Sequence, residues 1–124
     1  MKEQFLTYEQ ALALKELGFD EPYYFATYLD SANLIPREEE DGWDLSKGII
    51  APLYQQAFRW FRDKKLTDAS INRHGTHDGG YSYRWDIVHE YGVYEERHFK
   101  LGYKTYEEAE DACINEIIEL LKLK

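Results

Sequence analysis

Apolar and polar positions along this chain repeat with two different periods, and the changes from one to the other mark out its elements. Tyr8, Ala11, Leu12, Leu14 and Leu17 recur at helical spacing. Thr7 stands before them with Gln10 three residues on, the pattern of a reciprocal N-terminal cap, and Gly18 suits a left-handed stop. A helix over 8–17 is predicted. A second is predicted from Pro52, where a missing N–H costs nothing, to Lys64 or Lys65. Tyr54, Ala57, Phe58 and Phe61 make its apolar stripe, and Gln55, Gln56, Arg59 and Arg62 are expected to face away. The third opens at Thr105 and Glu108, again paired as a cap. It is expected to bury Tyr106, Ala109, Cys113, Ile117, Leu120 and Leu121, with Glu107, Asp111, Glu116 and Glu119 in solvent.

Between the last two helices the period falls to two. Tyr81, Tyr83, Trp85 and Ile87 alternate with Ser82, Arg84 and Asp86, which puts the four large residues on one face of a strand. Ala69–Arg73 reads as a shorter strand before it, and Val93–Leu101 as the strand returning after a turn at Gly92. Earlier, Tyr23–Leu29 reads as a strand or extended segment, and the polar stretch 30–48 as a loop. The predicted fold class is α+β: a three-stranded antiparallel sheet with helices packed on one face, in α-β-β-β-α order over 52–122, plus the N-terminal helix and extended segment. The chain reads as one domain, 1–124, with an acidic N-terminal part over 1–50 and the core over 51–124.

Composition changes this picture in three ways. Eleven tyrosines among 16% aromatic residues supply rings with polar tips, suited to half-exposed positions on a binding face. A single cysteine excludes an internal disulfide and a four-cysteine zinc site. Net charge is −9, with eleven acidic against four basic side chains in residues 1–50. Such a field repels phosphate, disfavours unspecific nucleic-acid binding and attracts a basic partner. The start lacks an apolar leader and no stretch is long enough to span a bilayer, so no membrane association and a cytoplasmic location are expected.

Candidate chemistry is sparse. His74, His77 and Asp78 carry donors suited to zinc or iron, but their spacing is not that of a helical zinc site, and a polar glycine-containing turn explains the same residues. Cys113 falls on a buried helical stripe and reads as a small core residue. Gly75–Gly80 lacks the lysine and the helix of a phosphate-binding loop. No catalytic residue and no cofactor are assigned. Arg59, Arg62, Lys64 and Lys65 form a basic cluster in an otherwise acidic chain, and with Trp43 and Trp60 as aromatic anchors they are the binding candidates.

Two resemblances bear on these residues. The order of elements over 52–122 resembles the double-stranded RNA-binding domain in topology. That family grips phosphates with lysines opening its last helix, where this chain has the acidic run 104–111 (KTYEEAED); the layout therefore carries over and the activity does not. The stretches 6–22 (LTYEQALALKELGFDEP), 51–62 (APLYQQAFRWFR) and 105–110 (TYEEAE) resemble a family of uncharacterised small proteins of Bacteroides-type bacteria and their phages and mobile elements. That resemblance implies a shared fold and brings no activity. The expected function is a non-catalytic protein-interaction or accessory module. The alternatives are nucleic-acid binding through the basic end of the second helix and a metal-dependent hydrolase built on the histidines.

Overall fold

The computed structural model describes residues 5–21, 23–44, 46–73, 80–88 and 94–123. The chain divides into two compact units, 1–57 and 58–124.

The first unit begins with helix α1 (Tyr8–Glu16). Both arms of its cap are formed: Gln10 N–H donates to Thr7 Oγ1 at 3.2 Å and Thr7 N–H to Gln10 Oε1 at 2.9 Å. Gly18 takes φ +102° just past the helix, where a side chain would be strained. Strands β1 (Ala26–Asp30), β2 (Asn33–Pro36) and β3 (Ile49–Ile50) form an antiparallel sheet in the order β2-β1-β3. The stretch 30–48, expected to be loop, thus contains β2 and a 3-10 turn at Arg37–Glu39. Its polar residues mislead because they build a tight hairpin. Asp30 Oδ1 accepts from the Ala32 and Asn33 backbone N–H groups at 2.8 and 2.9 Å, closing the turn with a side chain. Among the described residues, Leu6, Ala11, Ala13, Leu14, Ala26, Ile35, Ile49, Ala51 and Ala57 are buried apolar residues of this unit. Tyr28 ties the sheet to the chain start: its hydroxyl donates to the Leu6 carbonyl at 2.7 Å and its ring meets Tyr8 edge-on.

Helix α2 (Tyr54–Lys65) starts in the first unit and continues into the second. It begins two residues after Pro52. Gln56 is 7% exposed rather than solvent-facing, because its amide is spent on both sides. Its Oε1 accepts from Leu53 N–H at 3.0 Å and its Nε2 donates to the Tyr23 carbonyl at 3.0 Å.

In the second unit, β4 (Thr67–Arg73), β5 (Tyr81–Val88) and β6 (Tyr94–Tyr103) form an antiparallel sheet with β5 in the centre. Helix α3 (Tyr106–Lys122) packs against all three strands. The α+β class and the order of these three strands are those predicted. Tyr83, Trp85 and Ile87 are buried in register with Ile71, Ala69 and Thr67 of β4. Of the intervening residues, Ser82 and Asp86 are buried too, while Arg84 between them is exposed. Between Tyr83↔Lys100 and Tyr81↔Tyr103 the β5–β6 register gains a residue. Gly102 sits in that bulge with φ +95°. On α3, Ala109, Cys113, Ile114, Ile117 and Ile118 are buried. Tyr106 is a correction: it is 43% exposed, its ring edge-on to Tyr81 at the margin of the sheet. Among the described residues no helix is long and apolar enough to cross a membrane.

Candidate functional site

The densest polar cluster lies where α3 crosses the β5–β6 hairpin. Strand register places His98 beside Trp85 and Lys100 beside Tyr83, and Glu116 comes down on them from the helix. Its Oε1 accepts from Trp85 Nε1 at 2.8 Å and lies 3.4 Å from His98 Nδ1. Its Oε2 accepts from the Tyr83 hydroxyl at 2.7 Å and pairs with Lys100 Nζ at 2.9 Å. The His98 ring lies flat on the Trp85 indole, centroids 4.1 Å apart and planes within 5°. Burial pushes the Glu116 carboxyl up, but donors from Tyr83, Lys100 and Trp85 outweigh it and hold the group below the usual carboxylate range. Burial and the same carboxylate push the Tyr83 phenol well up. A carboxylate holding donors from Tyr83, Trp85 and Lys100, with the His98 ring against it, has little lone-pair capacity left to take a proton from a substrate. The cluster clasps helix to sheet and offers no poised base. Glu116 was expected in solvent; its side chain is 22% exposed, because the polar tips of two buried rings need an acceptor there.

Further along α3, Glu110 is 9% exposed. Burial first and the neighbouring Glu107 second push its carboxyl up to about 7. Cys113 is fully buried and burial pushes its thiol up, so it has neither the exposure nor the thiolate character of a nucleophile.

The first unit presents a different kind of surface. Tyr23, Phe25 and Trp43 are 75%, 55% and 51% exposed. Their segments are joined: Arg37 N–H donates to the Phe25 carbonyl at 2.8 Å and Trp43 N–H to the Glu40 carbonyl at 3.0 Å. Between them Tyr24 donates its hydroxyl to Glu40 Oε2 at 3.0 Å while the Arg37 guanidinium stands 4.8 Å from the centre of its ring. That hydrogen bond to Glu40 is the main reason the Tyr24 phenol is raised. Residues 37–44 hold one arginine and five carboxylates, and Glu38, Glu39, Asp41 and Asp44 are exposed.

Protein-family models, curated proteins and solved structures give no match to this chain. Its own geometry carries the functional reading.

The residues singled out in the sequence are distributed as follows. Trp43 offers its ring at the surface. Trp60 does not: it is 2% exposed, with Lys65 Nζ 5.4 Å from the ring centre. It is a buried ring that Lys65 partly caps, and it cannot anchor a partner. Arg59, Arg62 and Lys64 are exposed along the end of α2, Arg62 lying 3.6 Å from Asp63. His74, His77 and Asp78 lie outside the described residues; among the described residues no three acidic, histidine or cysteine side chains are grouped to hold a metal. Sequence reasoning missed Tyr23 and Phe25, read only as β-prone, because three consecutive aromatic residues, Tyr23, Tyr24 and Phe25, give no period that separates an outward ring from an inward one.

Proposed function

We propose that this protein is a non-catalytic interaction module, an accessory factor that docks a protein partner through the aromatic surface of its N-terminal unit. The observation that carries this reading is the exposure of Tyr23, Phe25 and Trp43 on segments held together by backbone hydrogen bonds. Large apolar rings left in water on an ordered frame are the composition of interface anchors. The Glu116 cluster supports the same reading, since its donors and acceptor satisfy each other. The likeness to small proteins of Bacteroides-type bacteria and their phages and mobile elements is in keeping with an accessory role.

The test is affinity capture from the native host with wild-type protein and Trp43→Ala in parallel. A protein recovered in stoichiometric amount by wild type and at least tenfold depleted with Trp43→Ala is expected, since truncating a central aromatic anchor costs about 2 kcal/mol or more. Equal recovery by both proteins, with both folded by circular dichroism, removes the reading.

The exposed basic end of α2 favours a second reading, nucleic-acid binding through Arg59, Arg62 and Lys64. It requires affinity that falls steeply with salt and weakens in Arg59→Ala/Arg62→Ala. Binding unaffected by either change eliminates it.

A further inference from the structure

We infer that the partner docks with a cationic, extended segment, one that sets arginine or lysine side chains over the Trp43 and Phe25 rings among the carboxylates of 38–44. This rests on the reading of the aromatic surface as a docking site and adds the chemistry of what it takes. Three observations lead to it.

The first is charge complementarity. Glu38, Glu39, Asp41 and Asp44 are all exposed on the segment that carries Trp43, so an acidic or phosphate-bearing ligand meets repulsion on approach while a basic one is steered in. The second is an internal precedent. The same segment already holds one guanidinium against a ring, Arg37 on Tyr24, with the tip of that ring bonded to Glu40. Ring face for the cation and carboxylate for the N–H groups is the combination that recognises arginine. Trp43, whose indole face attracts cations more strongly than a phenol, stands on the same turn with exposed carboxylates on both sides in sequence. The third is Glu40 itself: Oε2 takes the Tyr24 hydroxyl, while the buried Oε1 accepts no hydrogen bond. A buried carboxylate oxygen without a donor is costly, and a turn of the Glu40 side chain that brings it to a guanidinium arriving beside Tyr24 supplies one.

An extended partner suits the frame. Phe25 is paired with Arg37 immediately beyond the Ala26↔Pro36 end of the β1–β2 ladder. The exposed rings Tyr23 and Phe25 lie on the segment that leads into β1, so a partner running along that segment meets both.

The experiment uses the full chain and a short fluorescein-labelled peptide alternating arginine with serine, together with its lysine and glutamate counterparts and a DNA duplex of similar length. Binding is read by fluorescence anisotropy at low and high salt. The arginine peptide is expected to bind with one-to-one saturation, more tightly than the lysine peptide, and the glutamate peptide and duplex not at all. Trp43→Ala is expected to weaken arginine-peptide binding at least tenfold. Glu38→Gln/Glu39→Gln/Asp41→Asn is expected to weaken it by about tenfold at low salt and to flatten its salt dependence. Failure of the arginine peptide to bind, or binding unchanged in the carboxylate variant, overturns the inference. The docking reading survives that result only if a captured host protein still depends on Trp43. If Trp43→Ala changes neither peptide binding nor host capture, both readings fall. Preferential binding of the duplex returns the molecule to the nucleic-acid reading through α2.

Discussion

Glu116 carries more of the second unit's polar order than any neighbouring side chain. Replacing it with alanine strands the Tyr83 hydroxyl and Trp85 Nε1, both on rings no more than 1% exposed. Each orphaned donor costs about 1–3 kcal/mol. Glu116→Ala is therefore expected to destabilise the protein by about 3 kcal/mol in urea unfolding; a loss below about 1 kcal/mol would show that water replaces the carboxylate without penalty. Glu110 acts in the opposite sense. Its folded carboxyl titrates at about 7 against 4.5 for an ordinary one, so the unfolded chain ionises first. Its full contribution to stability is present below about 4.5 and is lost as pH rises through about 7. Glu110→Gln should then match wild type at pH 4.5 and exceed it by about 2 kcal/mol at pH 8. Equal stabilities at both pH values would refute the assignment.

At the level of elements, the sequence is most legible where a local rule acts alone. The Thr7–Gln10 cap, the alternation of Tyr83, Trp85 and Ile87 and the stripe through Cys113 and Ile117 each depend on a few neighbouring residues, and each is found where its spacing puts it. The β1–β2–β3 sheet was legible only in part: β1 overlaps the strand or extended segment expected over Tyr23–Leu29, while its two partners were not read. β3 is two residues long, and β2 hides among polar letters whose order comes from Asp30 folding onto its own backbone. Gln56 and Glu116 were misplaced because helical periodicity counts amides and carboxylates as solvent-seeking. Both are drawn inward by donors or acceptors from elements distant in sequence. For the candidate site, Trp43 was legible as a ring within an acid run, whereas Phe25 is exposed because the chain bends just before β1 begins at Ala26, which periodicity did not reveal. Backbone approach is equally invisible to pattern. Gly80 has φ +102°, and a Cβ there would stand 2.9 Å from the Tyr103 carbonyl oxygen. Gly80→Ala is expected to lower stability by more than about 1 kcal/mol and to loosen the β5–β6 bulge, read as faster amide exchange at Tyr103. Unchanged exchange and stability would mean that the strands part at no cost.

For the whole molecule, the net charge of −9 and the excess of acid in residues 1–50 set long-range behaviour. Self-repulsion opposes compaction and is screened within about 10 Å at 0.1 M salt. At pH 7 the melting temperature should therefore rise between dilute buffer and 0.5 M sodium chloride, and a flat response would show that the charges are already locally compensated. Repulsion also has a protective side. Strand β6 is ten residues long, lies at the sheet margin, and carries Phe99 and Leu101 at 56% and 59% exposure. A long border strand bearing apolar side chains is a template on which another chain can lay down a strand of its own. Near the isoelectric point of about 4.9 the electrostatic barrier to that encounter vanishes. Acidified or concentrated stocks are where filaments should first grow, with β6 as the seam along which they join.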